Sequence, residues 1–216
     1  MSGYAFDFHA LRLEARASGA LWWPEGGWLI VADLHLGKSE RMARRGGPLL
    51  PPYEGLATLE RLVAEIAALQ PRRVVSLGDG FDDLAAAEAL DPQVASALSR
   101  LAQGRDWLWI GGNHDPGAPA GLPGTAAESL MLGGVALRHE AGPGPDISGH
   151  FHPVVRLAGE RRRAFLLGRD HLLLPAFGAY TGGLSHDDPA LRALVPHGLA
   201  VACGRRAIAL PVGPRR

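Results

Sequence analysis

Cysteine is nearly missing from this chain. Cys203 is the only one among 216 residues, so no disulfide can form within the chain, and a reducing compartment fits. Long apolar runs are missing as well: no stretch approaches the roughly 20 residues that a membrane-crossing helix needs. The first residues, MSGYAFDFHA, carry acidic and polar side chains where a secretory signal needs a basic start and an apolar run. The cytoplasm is the expected location, with no membrane partner. Net charge is absent too, with 22 basic against 22 acidic residues. A nucleic-acid binder working through its overall field would be basic, so any polyanion must be met by a local patch. No period of roughly 20 to 50 residues repeats, which excludes a solenoid.

What is present is enough for one substantial core. Apolar residues make up 47% of the chain, and 29 glycines with 17 prolines point to tight turns and ordered loops. The segment GALWWPEGGWLIVAD reads as two short strands around a Pro-Gly turn, the second running into Asp33. Leu56, Leu59, Leu62, Val63, Ile66 and Leu69 recur at helical spacing and predict an amphipathic helix. RRVVSLGD is a buried strand ending at Asp79. Asp91 followed by Pro92 signals a helix start, with Val94, Leu98 and Leu101 as its apolar face. DWLWIGGNHD is another apolar strand, broken by two glycines. SLMLGGVALRHE is a hairpin turning at Gly133-Gly134, DISGHFHP a short strand, and two further hairpins follow near the C-terminus. Strands alternate with helices first and hairpins dominate later. We expect one α/β domain over residues 1–216 with a mixed sheet system.

These strands end on the same kind of residue. They run into Asp33 and His35, into Asp79, into Asn113, His114 and Asp115, into His139, and into His150 and His152. Polar groups just past the ends of rigid strands converge on one crevice in an open α/β sheet. Imidazole with carboxylate suits Zn²⁺, Mn²⁺ and Fe. Asp33, His35, Asp79, Asn113, His139, His150 and His152 are more than one tetrahedral ion needs. Two divalent ions sharing a carboxylate, ~3.5–4 Å apart, would use them and clamp the oxygens of a phosphoryl displacement. Each piece has an ordinary reading: Asp-x-His as a loop, Gly-Asp as a turn, His139 as a strand-end histidine. The conjunction of five such pieces, each after an apolar strand, carries the inference.

In order, Asp33-x-His35, Gly78-Asp79-x-x-Asp82, Gly112-Asn113-His114-Asp115, His139 and Gly149-His150-x-His152 resemble the motifs of calcineurin-like binuclear metallophosphoesterases, over roughly residues 28 to 153. The resemblance implies two mixed β-sheets packed face to face as a sandwich with helices on the outer faces. It implies that Asp79 bridges two ions, with Asp33, His35 and His152 mainly on one and Asn113, His139 and His150 on the other. In that arrangement a metal-bridging hydroxide attacks, and His114 faces the scissile phosphate to stabilise charge or protonate the leaving oxygen. Asp115 holds its imidazole, and Gly111 and Gly112 turn the backbone sharply off the strand. Two further stretches, GKSERMARRGGPLLPPYEGLATLERL and LLLPAFGAYTGGL, are similar to the bacterial ligase-associated DNA damage response endonucleases. That branch implies a Mn²⁺-dependent phosphodiesterase acting on DNA, with single-stranded DNA as the expected substrate and DNA-repair proteins as expected partners. The chain departs from the branch at Asp82, where His is expected, and in the Gly/Pro-rich EAGPGPD before His150.

Lys38, Arg41, Arg44 and Arg45 follow the first motif and are placed to hold flanking phosphates, with a solvated helix face as the competing reading. Arg161–Arg163 and Arg215-Arg216 form further basic runs, and Tyr180 is placed either to stack on a base or to pack on the sheet. Two other functions compete with a DNA endonuclease. One is an enzyme acting on small phosphoesters or nucleotides, which the balanced charge favours. The other is a metal-containing scaffold without turnover, against which His114 argues.

Overall fold

A computed structural model describes residues 3–47, 51, 53–115 and 121–213. Arg215, Arg216 and most of the PGAPAGLPG loop lie outside the described residues.

The chain opens with four antiparallel strands: β1 (Gly3–Phe8), β2 (Leu11–Arg16), β3 (Leu21–Trp23) and β4 (Trp28–Ala32). Helices α1 (Lys38–Arg44) and α2 (Glu54–Leu69) carry it to β5 (Arg73–Leu77), which pairs parallel to β4 from Trp28 opposite Arg73 to Ala32 opposite Leu77. Helices α3 (Leu84–Glu88) and α4 (Pro92–Ala102) lead to β6 (Asp106–Ile110), parallel to β5, and β7 (Thr125–Ala127) completes a seven-stranded sheet in chain order. The second sheet is built from β8 (Leu130–Leu132), β9 (Val135–Leu137), β10 (Asp146–Ser148), β11 (Val154–Leu157), β12 (Glu160–Leu167) and β13 (His171–Leu173). After helix α5 (Pro189–Leu194) it gains β14 (Gly198–Ala202) and β15 (Ile208–Val212). Its order is β15-β14-β12-β13-β10-β9-β8, with β11 paired to β12.

Three apolar layers follow from the alternation of side chains along the strands. Between the sheets lie Phe6, Leu13, Ile30, Val75, Leu77 and Ile110 from the first and Val135, Leu137, Ile147, Phe165, Leu172 and Val201 from the second. The opposite face of the first sheet, with Leu29, Val31, Val74 and Trp107, packs on Leu59, Leu62 and Ile66 of α2 and Val94, Leu98 and Leu101 of α4. The opposite face of the second sheet packs on Leu191 and Val195 around α5. This is the expected sandwich with outer helices. The helix spacing was misread at one position: Val63 is 46% exposed, because its side chain sits past the edge of the stripe that meets the sheet. Asp91 caps α4 as expected, its carboxylate accepting from the Gln93 N–H at 2.7 Å. Among the described residues, no helix is long and apolar enough to cross a membrane.

The topology sets the crevice. β4, β5 and β6 run parallel and adjacent in one sheet, and β9, β10 and β13 do so in the other. The segment after β13 crosses to the first sheet: the N–H of Phe177 donates to the carbonyl of Ala32 and that of Gly178 to Asp33. The carboxyl ends of both parallel sets thereby open on the same side.

Candidate active site

Each expected residue stands just past a strand: Asp33 and His35 after β4, Asp79 after β5, Asn113 and His114 after β6, His139 after β9, His150 and His152 after β10. Five of them take the left-handed backbone conformation that L-residues rarely adopt: Asp33 (φ 52°), His35 (46°), Asp79 (43°), His150 (67°) and His152 (48°). Such turns cost roughly 1–3 kcal/mol each and gather at functional sites. Gly112 was expected to supply a sharp turn. Its φ is not positive, and its role is space: a Cβ there would lie 2.2 Å from Asp79 Oδ1.

The polar atoms meet closely. Asp33, His35 and His152 form one set of ligand atoms all within 4.8 Å of one another, and Asp33, Asp79 and His139 form a second. In the first, His152 Nε2 lies 3.3 Å from His35 Nε2 and 3.3 Å from Asp33 Oδ1. In the second, His139 Nε2 lies 3.4 Å from Asp79 Oδ2. Asn113 and His150 complete it: Asn113 Oδ1 is 2.7 Å from His139 Nε2 and 3.1 Å from His150 Nδ1, and those two nitrogens are 3.1 Å apart. Asp33 belongs to both sets. Asp79, at the end of the strand between β4 and β6, stands with the second.

The donor set fits divalent cations. His35 Nδ1 lies 2.9 Å from the Asp82 carboxylate and His139 Nδ1 lies 3.3 Å from the Leu77 carbonyl. The ring proton of each is drawn to that outer side, so the Nε2 lone pairs face inward. Lone pairs and carboxylate oxygens at these separations repel unless a cation lies among them.

His114 stands apart from both sets. Its Nδ1 is 2.8 Å from the Asp82 carbonyl, and its Nε2 points into the site, 4.0 Å from Asp79 Oδ2. Its own N–H donates to Asp79 Oδ1 at 2.9 Å. The expectation for Asp115 requires correction. The buried Asp115 carboxylate accepts from the N–H of Phe81 at 2.8 Å, and a backbone carbonyl takes the role at His114 Nδ1. Asp115 thereby ties its own loop to the loop after Asp79.

No protein-family model and no curated protein sequence matches the chain. Among solved structures, the chain is similar to the nuclease MPE of Pseudomonas putida, with 29% identity, a TM-score of 0.76, and coverage of 98% of this chain and 100% of that one. The chain shares the fold of that nuclease and resembles the calcineurin-like metallophosphoesterases. Yfce, a phosphoesterase from E. coli, matches at 19% identity over 73% of this chain and 83% of that one, with a TM-score of 0.40.

Within this site, the departure at Asp82 acquires a structural role. Its carboxylate is 1% exposed and takes two hydrogen-bonding neighbours, His35 Nδ1 at 2.9 Å and Arg41 Nη1 at 2.8 Å. Burial raises its pKa, but the hydrogen bonds from His35 and Arg41 outweigh that and hold the carboxyl well below the usual carboxylate range. Asp82 therefore stays ionised and fixes which nitrogen of His35 faces inward. Neither Asp82 nor its partner Arg41 was assigned this positioning role from sequence; the only signal was a motif position with an unusual residue. Asp82→Ala is expected to weaken metal affinity by ~10–100-fold, with activity recovered at high metal concentration. Metal titration of activity checks this, and an unchanged titration midpoint would refute the positioning role.

The basic run after the first motif lies beside the site but is largely occupied. Arg41 pairs with Asp82, Arg44 bonds both oxygens of Asp83 at 2.8 Å, and Arg45 lies 3.5 Å from Asp83. Of the four cations, Lys38 alone has no carboxylate partner among the described residues. Tyr180 is 53% exposed with φ 56°, so it does not pack on the sheet. The EAGPGPD segment is held by the buried Asp146, whose Oδ2 accepts from Arg138 at 2.7 Å and from the N–H of Gly142 at 2.8 Å. It carries the chain back to the start of β10, opposite Ala136 of β9.

Proposed function

We propose that this protein is a metal-dependent phosphodiesterase that cleaves nucleic acid, with DNA as the substrate class and repair as its setting. The observation that carries the reading is the pair of ligand sets with His114 Nε2 beside them but in neither. A nuclease at 29% identity over nearly the whole chain supports it. Asp33, His35 and His152 would hold one cation and Asn113, His139 and His150 the other, with Asp79 between them and Mn²⁺ as the native ion. When bound, two such cations supply Lewis-acid charge for the phosphate oxygens and activate water at neutral pH. The chain's own groups do the rest. Asp82 and the Leu77 carbonyl orient the imidazoles. The Asp82 carbonyl directs His114 Nε2 at the position a phosphate would occupy, where it stabilises charge or returns a proton to the leaving oxygen. Lys38 is left to meet a flanking phosphate. The shared core between the sheets supports one domain, and the buried thiol suits the cytoplasm.

The balanced charge favours one other reading, hydrolysis of small phosphoesters or nucleotides. Cleavage of single-stranded DNA with Mn²⁺, compared with turnover of p-nitrophenyl phosphate and bis-p-nitrophenyl phosphate, separates the two. The nuclease reading expects DNA cleavage and preference for the diester over the monoester. Turnover of the monoester alone would overturn it.

A further inference from the structure

Beside the Ala176–Gly178 segment, a groove of about 940 Å³ is lined by Arg61, Arg161, Arg162, Arg163, Arg205 and Arg206. Only Arg162 has a carboxylate partner among the described residues, Glu160 at 2.7 Å. This is the reverse of the α1 cluster, whose arginines are matched by Asp82, Asp83 and Glu40.

Two of the six are partly buried and converge. Arg163 Nη1 donates to the carbonyls of Ala176 (3.0 Å) and Phe177 (3.3 Å), and Arg61 donates to the same Phe177 carbonyl. Arg61 also lies over the Phe177 ring, while its Nε is buried without a partner. Burial first, and then the charge of Arg163, push the Arg61 guanidinium down to about 10; burial lowers Arg163 likewise. Two like charges partly taken out of water beside one another, with carbonyl oxygens, the Phe177 ring and the buried Cys203 thiol as neighbours and no carboxylate partner among the described residues, call for an anion. Guanidinium forks match phosphate oxygens in pairs.

The groove is joined to the metal centre by one stretch of chain. Gly178 bonds Asp33, Arg161 donates to the carbonyl of Gly183, and a Cβ on Gly183 would strike the His152 carbonyl. Between them stands exposed Tyr180. We propose that this groove is a second phosphate-binding site, separate from the metal centre, that takes the sugar–phosphate backbone of a nucleic-acid strand extending from that centre past Tyr180. The nucleic-acid identity of the ligand rests on the nuclease reading; the binding of phosphate there does not.

Arg205 and Arg206 are exposed and make no side-chain bond among the described residues, so Arg205→Glu with Arg206→Glu tests the groove without removing an internal contact. The probe is a fluorescein-labelled thymidine oligonucleotide, followed by anisotropy over a salt series with chelator present to prevent cleavage. The double variant is expected to bind at least tenfold more weakly. The slope of log affinity against log salt should flatten by ~0.7 for each of the two lost phosphate contacts. Bis-p-nitrophenyl phosphate turnover with Mn²⁺ should change less than twofold. Unchanged oligonucleotide affinity and slope would overturn the proposal, and so would an equal loss of diester turnover, which would mean a damaged fold. Wild-type protein that binds the oligonucleotide through the groove but leaves it uncut with Mn²⁺ would uphold the groove and reject the nuclease reading.

Discussion

Asp79→Ala is expected to abolish phosphodiester hydrolysis and to leave dialysed protein with less than its full complement of metal. Asp79 stands at the end of the central parallel strand, 2% exposed. Its Oδ2 faces His139 Nε2, and its Oδ1 accepts the N–H of His114. Removing the carboxylate takes away a negative charge of the second ligand set and the acceptor that fixes the loop carrying Asn113 and His114. Alanine also fits poorly at φ 43°, so loss of activity alone would not separate metal loss from misfolding. Asp79→Asn is the matched control. Asparagine tolerates the left-handed turn and can still accept from His114 N–H, but lacks the charge. It should melt close to the wild type and still lose metal and activity. Elemental analysis with a thermal melt checks both variants. One tightly bound ion in fully active wild-type protein would refute the two-cation reading.

His114→Ala is expected to keep both ions and lose rate, by ~10²–10⁴-fold if the imidazole is a positioned acid. With Nδ1 held by the Asp82 carbonyl, Nε2 is the nitrogen that faces substrate, and it carries a proton to give only in the imidazolium form. The loss should then depend on the leaving group. A DNA alkoxide needs a proton, whereas p-nitrophenolate departs without one. The variant should lose far more on DNA than on bis-p-nitrophenyl phosphate. Equal losses with metals retained would assign His114 to charge stabilisation instead. Loss of an ion would make it a ligand.

The strands that build the crevice were legible because each is a run of apolar residues stopped by a polar ligand. The N-terminal hairpin β1–β2 was not. Its turn at His9-Ala10 uses no glycine or asparagine, with His9 taking the positive φ itself (50°), and GYAFDF alternates too weakly to stand out. Helix α5 is a six-residue segment, too short to show a period. Within the site, the ligand types and their order could be read, since chemistry fixes them. Partners across the fold could not. Nothing local tells that Arg41 meets Asp82, 41 positions on, or that Asp115 accepts from the N–H of Phe81. Nor does anything local tell that the basic residues after the first motif meet Asp82 and Asp83 of the loop after β5 as well as Glu40 of their own helix.

The left-handed turns at Asp33, His35, Asp79, His150 and His152 set stability against chemistry position by position. At roughly 1–3 kcal/mol each, they together approach the whole margin of about 5–15 kcal/mol that keeps an ordinary domain folded. The three apolar layers must be strong enough to carry that load. Drift toward a tougher protein would relieve it most readily by placing glycine at these five positions, which is also the quickest way to lose the ligands. In the descent of this chain, selection for durability and selection for hydrolysis therefore pull against one another at the same five residues.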